Sequence, residues 1–229
     1  MSSKFTAVLV HGAWADGSSW SKVIPRLEEA AIRPVAVQLP LTSLEDDVAT
    51  VRRALALVEG SAVLVGHSYG GVVITEAGND PKVKALVYVA AFAPDAGESA
   101  GSLGAGAAPS PMGAEIRPDA QGFLSLTREG VFNGFAQDLT DSEKRVLFAA
   151  QAPTNGKALG GNVSTPAWRS RKSWYLVAAE DRAIQPDLER KMATHIRATV
   201  VSVASSHVAM LSHPKDVASL IAEAVAKSP

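Results

Sequence analysis

The residues best suited to chemistry stand at Gly66-His67-Ser68-Tyr69-Gly70, followed by Gly71. The spacing G-x-S-x-G is a weak signal alone. Its flanks strengthen it: an apolar run, Ala62 to Gly66, precedes it, and a helical run, Val72 to Ala77, follows. A serine on a sharp strand-to-helix turn exposes its Oγ above a sheet, provided the residues two places away on each side are small. Gly66 and Gly70 meet that need. The helix N-terminus that follows also favours negative charge developing at the serine. The chemistry indicated is nucleophilic attack by Ser68 on an acyl carbon.

Such a serine needs a base. The candidates are His11, His67, His195, His207 and His213. His207 follows the run Thr199 to Val203, on the side of a parallel sheet where sites of open α/β folds lie. His213 directly precedes Pro214 and reads as the residue leading into a helix. His195 ends a helix, where a cation is favourable. His67 is adjacent to Ser68, so its side chain points away. The base in turn needs a carboxylate that holds its tautomer. Asp181 follows the run Trp174 to Ala179, the strand before the one feeding His207. Glu180, Asp187 and Asp95 are alternatives. The oxyanion donors are backbone groups. One is the N–H of Tyr69. The other is expected from His11-Gly12-Ala13-Trp14 at the end of the first apolar run. Ala13 is the choice there, because its small side chain and Gly12 allow close approach.

Positioning these groups requires a sheet. Phe5–Val10, Arg33–Leu39, Ala62–Gly66, Val83–Ala90, Trp174–Ala179 and Thr199–Val203 are short apolar runs. Runs apolar on both faces suit a parallel sheet covered by helices on each side. Between them lie helical patterns. Leu44, Val48, Val51, Leu55 and Val58 share one helix face, with Thr42 and Glu45 as a capping box at its start. Trp20, Val23, Ile24 and Leu27 mark an earlier helix with Pro25 near its start. Pro186–His195 and a last helix beginning at Pro214 complete the alternation. The expected fold is α/β: a doubly wound, mostly parallel sheet of about six strands. One domain covers 1–229. Residues 94–171 break the rhythm and show no clear strand. They read as a short helical cap insertion, loop-like over 101–113, with a helix near 141–151 capped by Thr140 and Glu143.

Composition narrows the function. Apolar residues make up 47% and charged residues 20%, which is ordinary globular composition and argues against disorder. The net charge of −1 implies no basic face, so nucleic acid is not an expected partner. The absence of cysteine excludes a thiol nucleophile and thiolate-held metal. No stretch reaches the length of a bilayer span, and no leader is evident. A cytoplasmic protein is expected, with no membrane partner and no metal, and with a homodimer as the default assembly.

The chain resembles the α/β-hydrolase superfamily, in its compact branch of plant methylesterases, hydroxynitrile lyases and bacterial esterase-like relatives. The resemblance rests on Val8-Leu-Val-His-Gly-Ala-Trp14, Val63-Leu-Val-Gly-His-Ser-Tyr-Gly-Gly71, Val87-Tyr-Val-Ala-Ala-Phe-Ala-Pro-Asp95, Ala179-Glu-Asp-Arg-Ala-Ile184 and Ser205-Ser-His207. The order Ser68, Asp181, His207 is that of the superfamily. The resemblance implies the triad Ser68–His207–Asp181, with Asp181 preferred to Glu180, and Ala13 and Tyr69 as oxyanion donors. It implies no cofactor. In the plant lyases a threonine follows the first-strand histidine and a lysine follows the triad histidine. Gly12 and Val208 stand at those places, which disfavours cyanohydrin cleavage. The expectation is a serine hydrolase cleaving a small, mostly apolar carboxylic ester through an acyl-enzyme. Alternatives are a receptor-like small-molecule binder, or a hydrolase of lactone or carbon–carbon bonds. Trp14, Phe132 and Phe135 are expected at the substrate pocket. Phe92, Met112, Phe123, Phe148 and Trp168 are further candidates for its lining.

Overall fold

The computed structural model describes residues 5–228. Its strands are β1 (Phe5–Val10), β2 (Arg33–Ala36), β3 (Ser61–Ser68), β4 (Val83–Ala91), β5 (Ile116–Pro118), β6 (Phe123–Leu126), β7 (Thr154–Asn155), β8 (Lys172–Ala178) and β9 (Thr199–Val203). The six expected apolar runs form one sheet in the order β2-β1-β3-β4-β8-β9. Every neighbouring pair in it is parallel. The expected α/β-hydrolase sheet is borne out. β1, β3, β4 and β8 are buried nearly throughout, which is why they carry Val, Leu and Ala on both faces. β9, at the sheet edge, alternates more exposed and less exposed positions.

The helices are α1 (Ile24–Glu29), α2 (Leu44–Ala56), α3 (Gly70–Ala77), α4 (Ala100–Ala105), α5 (Asp141–Ala150), α6 (Gly156–Gly160), α7 (Pro186–His195), α8 (Ala209–Ser212) and α9 (Pro214–Ala226). α3 packs on β1, β3 and β4 and touches α2. α9 packs on β3, β4 and β8 and touches α1. Among the described residues, no helix is long and apolar enough to cross a membrane. The strand order runs outward from β1 to β2 and back through β3, so the direction reverses between β1 and β3. A crevice opens at such a reversal, beyond the carboxyl ends of the strands. The segments leaving β1 and β3 are the ones that carry Ala13 and Ser68.

Three local expectations need correction. The cap of α2 is not Thr42 with Glu45. Ser43 takes an extended backbone and its side chain accepts the Asp46 N–H. Thr42 and Ser43 both donate to the Asp46 carboxylate. Asp46, three residues after Ser43, fills the place assigned to Glu45, shifting the motif by one residue. The insertion between β4 and β8 is not purely helical either. β5, β6 and β7 form an antiparallel three-stranded sheet. These strands have two to four residues each, too short to show a period of two in sequence. The stretch 101–113 is not simply loop: it holds most of α4 and a 3₁₀ turn from Pro111. The helix at Asp141 has the expected capping box between Thr140 and Glu143.

Candidate active site

β3 runs through His67 and ends at Ser68, where φ turns to +53°. A non-glycine residue in that left-handed region is strained. The turn tightens because α3 starts two residues later, at Gly70. A Cβ on Gly66 would lie 2.5 Å from the Gly70 carbonyl oxygen, so glycine is required there. The β3–β4 register slips between His67 and Ser68, and Ala90 opposite also takes a positive φ of 44°. A Cβ on Gly12 would lie 2.6 Å from Ser68 Cβ, so the segment after β1 presses directly on the serine.

His207 lies in the segment after β9 and is 1% exposed. Its Nδ1 donates to Asp181 Oδ2 at 2.5 Å. Asp181 Oδ1 accepts the N–H groups of Ala183 at 2.6 Å and Ile184 at 3.0 Å, which fixes the carboxylate on its turn. The structure therefore brings together Ser68, Asp181 and His207 from three separate segments. Ser68 and His207 share the wall of one cavity of about 160 Å³. Asp95, an alternative acid, lies elsewhere and pairs with Arg169 and His195. Asp187 pairs with Arg190 on the surface. The Glu180 side chain is exposed. His213 bonds Ser212 and leads into α9.

Ala13 and Tyr69 also line the cavity. Neither N–H donates to a turn, loop or cap hydrogen bond among the described residues. His11 orients the first of them. Its Nε2 accepts the Leu39 N–H at 2.9 Å, so the proton is on Nδ1, which donates to Gly12 O at 2.9 Å. Across a trans peptide, the Ala13 N–H must then point the opposite way. Burial lowers the His11 pKa and keeps the ring neutral for this task.

The Tyr69 hydroxyl donates to Asp47 Oδ2 at 2.8 Å, and Leu41 N–H donates to Oδ1 at 2.9 Å. Burial raises the Asp47 pKa to about 6, against the lowering effect of these two donors. The folded value exceeds the unfolded one, so this stabilisation is complete at acid pH and is lost as pH rises through about 6. Asp47→Asn removes the titration. Thermal melts from pH 4 to pH 8 are expected to show wild type losing stability relative to the variant across that window.

Trp14 lines the cavity, as do Phe92 and Met112. Trp14 Nε1 donates to Leu124 O at 2.9 Å and its backbone N–H to Thr154 Oγ1 at 3.2 Å, tying the segment after β1 to the inserted sheet. Phe132 and Phe135 do not line it. They belong to a π-helical turn, Gly130–Phe135. That turn sends Phe135 against the His207 ring, 5.1 Å between centroids, and leaves Phe132 under the Arg128 guanidinium. Phe123, Phe148 and Trp168 are also outside the lining. Ser110, Ile116, Leu159 and Ile184, which sequence reasoning missed, are in it. His67, read as pointing away from Ser68, supports the other histidine: its Nε2 donates to His207 O at 2.9 Å. Burial, reinforced by His207 nearby, holds the His67 pKa well below the ordinary range. Local periodicity carries no signal for such long-range partners.

Comparison with known proteins agrees with the fold. Residues 7–220 match the model of the alpha/beta hydrolase family. A carbendazim-hydrolyzing esterase of Nocardioides sp. is 36% identical over 40% of this chain and 44% of its own, so that match spans less than half the relative. Methylesterase 8 of Arabidopsis thaliana is 26% identical over 81% of this chain and 75% of its own. A solved pyrethroid hydrolase from Sphingobium faniae shares the fold with a TM-score of 0.84 at 24% identity, covering 97% of this chain and 98% of that one. The two esterase relatives bear out the expectation of a carboxylic ester hydrolase and the resemblance to the methylesterase branch, and the solved structure bears out the fold. With its sheet, its strained serine turn and this match spanning nearly all its length, the chain belongs to the alpha/beta hydrolase family.

Proposed function

We propose that the protein hydrolyses a small, uncharged, mostly apolar carboxylic ester, with Ser68 as nucleophile, His207 as base and Asp181 as the acid that orients it. The observation that carries this reading is the His207 Nδ1–Asp181 bond at the wall of the cavity that also holds Ser68. With the proton on Nδ1, His207 Nε2 is free to take the Ser68 proton. Ser68 Oγ bonds to the carbonyl carbon, and the tetrahedral oxyanion is held by the N–H groups of Ala13 and Tyr69. Collapse breaks the ester C–O bond as His207 protonates the departing alcohol. Water, deprotonated by His207, then attacks the acyl-Ser68 ester and releases the acid.

The cavity wall favours a neutral substrate. Its lining includes no Asp, Glu, Lys or Arg. Among its polar members, Tyr69 and Trp14 spend their side-chain donors on Asp47 and Leu124. The cavity, of about 160 Å³, suits a short acyl or alcohol group. A buried, unpaired charge costs several kcal/mol. A p-nitrophenyl ester of butyrate is therefore expected to give kcat/KM about 100-fold or more above that of a succinate half-ester of similar size. Equal rates on the two esters would remove the neutral-substrate reading. No turnover of any ester by folded protein, with tight ligand binding instead, would favour a receptor.

A further inference from the structure

Glu189 is fully buried on α7, one turn from its start, and takes no part in the steps above. Its Oε2 accepts the N–H of Ala178, the last residue of β8, at 3.0 Å. The Ala178 carbonyl in turn accepts the Asp181 N–H at 3.2 Å. Glu189 is thus anchored on the turn that carries the triad acid. Its other oxygen, Oε1, has no donor among the described residues. Glu189 and Asp181 thus bond to the N–H and the C=O of the same residue, Ala178, and both are buried.

Two ionised carboxylates held on one residue and out of water repel strongly. The charged and titratable groups facing Glu189 do not offset that repulsion. Asp181 is the like charge. The Tyr175 hydroxyl, from β8, is spent on Ala91 O. Arg190, on α7 itself, is half exposed and pairs with Asp187. His207 reaches Glu189 only through Asp181. A carboxylate offers about four lone-pair sites. Asp181 fills three with Ala183 N–H, Ile184 N–H and His207 Nδ1–H. One site remains, and a protonated Glu189 supplies the donor that fills it.

We infer that Glu189 is held as a neutral carboxylic acid whose O–H donates to Asp181, making it a positioning residue for the triad. Negative charge rests on Asp181, which accepts three N–H groups, and not on Glu189, which accepts one. Burial first, and the charge of Asp181 second, push the Glu189 pKa well above the carboxylate range. The role in catalysis rests on the proposed triad; the shared proton does not. By this bond Glu189 keeps the Asp181 carboxylate aimed at His207 Nδ1, and so keeps Nε2 free. The pH dependence follows. Glu189 stays protonated when folded but ionises when unfolded, so its stabilisation is full below the unfolded carboxyl pKa and is lost as pH rises through the folded one.

Glu189→Gln is the informative variant. Gln is neutral at every pH, can donate N–H to Asp181 and can accept from Ala178. Glu189→Leu can do neither. A difference infrared spectrum at neutral pH, wild type minus Glu189→Gln, is expected to show the C=O stretch of one protonated carboxyl. Glu189→Gln is expected to keep its melting temperature further into alkaline pH than wild type. Glu189→Leu is expected to lose about tenfold or more in kcat at nearly constant KM, and Glu189→Gln to recover most of that loss. Absence of the infrared band, or superimposed stability–pH curves for wild type and Glu189→Gln, overturns the neutral acid. Equal kcat losses in the two variants overturn its positioning role. If Glu189→Leu fails to fold, the infrared and melting arms still decide the proton, and kcat of Glu189→Gln within about threefold of wild type decides the role. None of the infrared or melting arms depends on Ser68, so a surviving band with a dispensable Ser68 would sink the triad and leave the proton in place.

Discussion

Ser68→Ala is expected to lower kcat by about 10⁶, the loss found when a serine triad loses its nucleophile. The physical reason is the proposed acyl-enzyme route. Without Oγ there is no covalent intermediate, and hydrolysis falls back on whatever the oxyanion donors and binding give to direct attack by water. Misfolding is not expected to confuse the result. Alanine has a smaller side chain than serine, and the backbone already stands at φ +53° with a side chain in place. The Ser68 hydroxyl makes no hydrogen bond among the described residues, so its removal orphans no partner. Wild type and variant should therefore melt alike while steady-state turnover of a p-nitrophenyl ester separates them. A folded Ser68→Ala protein with undiminished kcat would remove Ser68 from the chemistry.

The second large effect is expected at Asp181→Asn, about 10⁴ in kcat. The cause is a tautomer. Ala183 and Ile184 N–H groups both point at Oδ1, so the amide oxygen of Asn must take that place. Its NH₂ then occupies the Oδ2 position, facing His207 Nδ1. A donor there forces Nδ1 to be the acceptor and moves the ring proton to Nε2, the atom needed as base. Shape is preserved and basicity is lost. Glu189, whose O–H also needs an acceptor, would face the same NH₂, which adds instability to the kinetic effect. Pre-steady-state acylation should show the loss in the acylation rate. A variant that acylates as fast as wild type would mean that another carboxylate orients His207.

The sheet was readable in sequence because its instructions are local. Val and Leu runs such as Val8–Val10 and Val63–Val65 are apolar on both faces, which suits strands inside a parallel sheet covered by helices. The turn at Ser68 is local too: small residues at fixed offsets are needed wherever a strand turns that sharply into a helix. Ranking His207 above His195 and His213 used local context alone: the strand that His207 follows, the helix that His195 ends and the proline that His213 precedes. The three strands of the insertion escaped because β5, β6 and β7 are short and take their meaning from one another.

Residue types at fixed spacing thus suffice for the apolar strands and the strained serine turn, which are set within a few residues, whereas the strands pair and the candidate triad meets only in the fold. The states of the supporting groups do not follow from spacing. Asp47 meets Tyr69 across 22 residues, His67 meets His207 across 140, and Glu189 is neutral or charged according to an Asp181 that another turn delivers. Burial and neighbouring charge set those protonation states. Both are properties of what the fold packs around a side chain, so Phe135 could be expected at the substrate pocket and lie instead against the His207 ring.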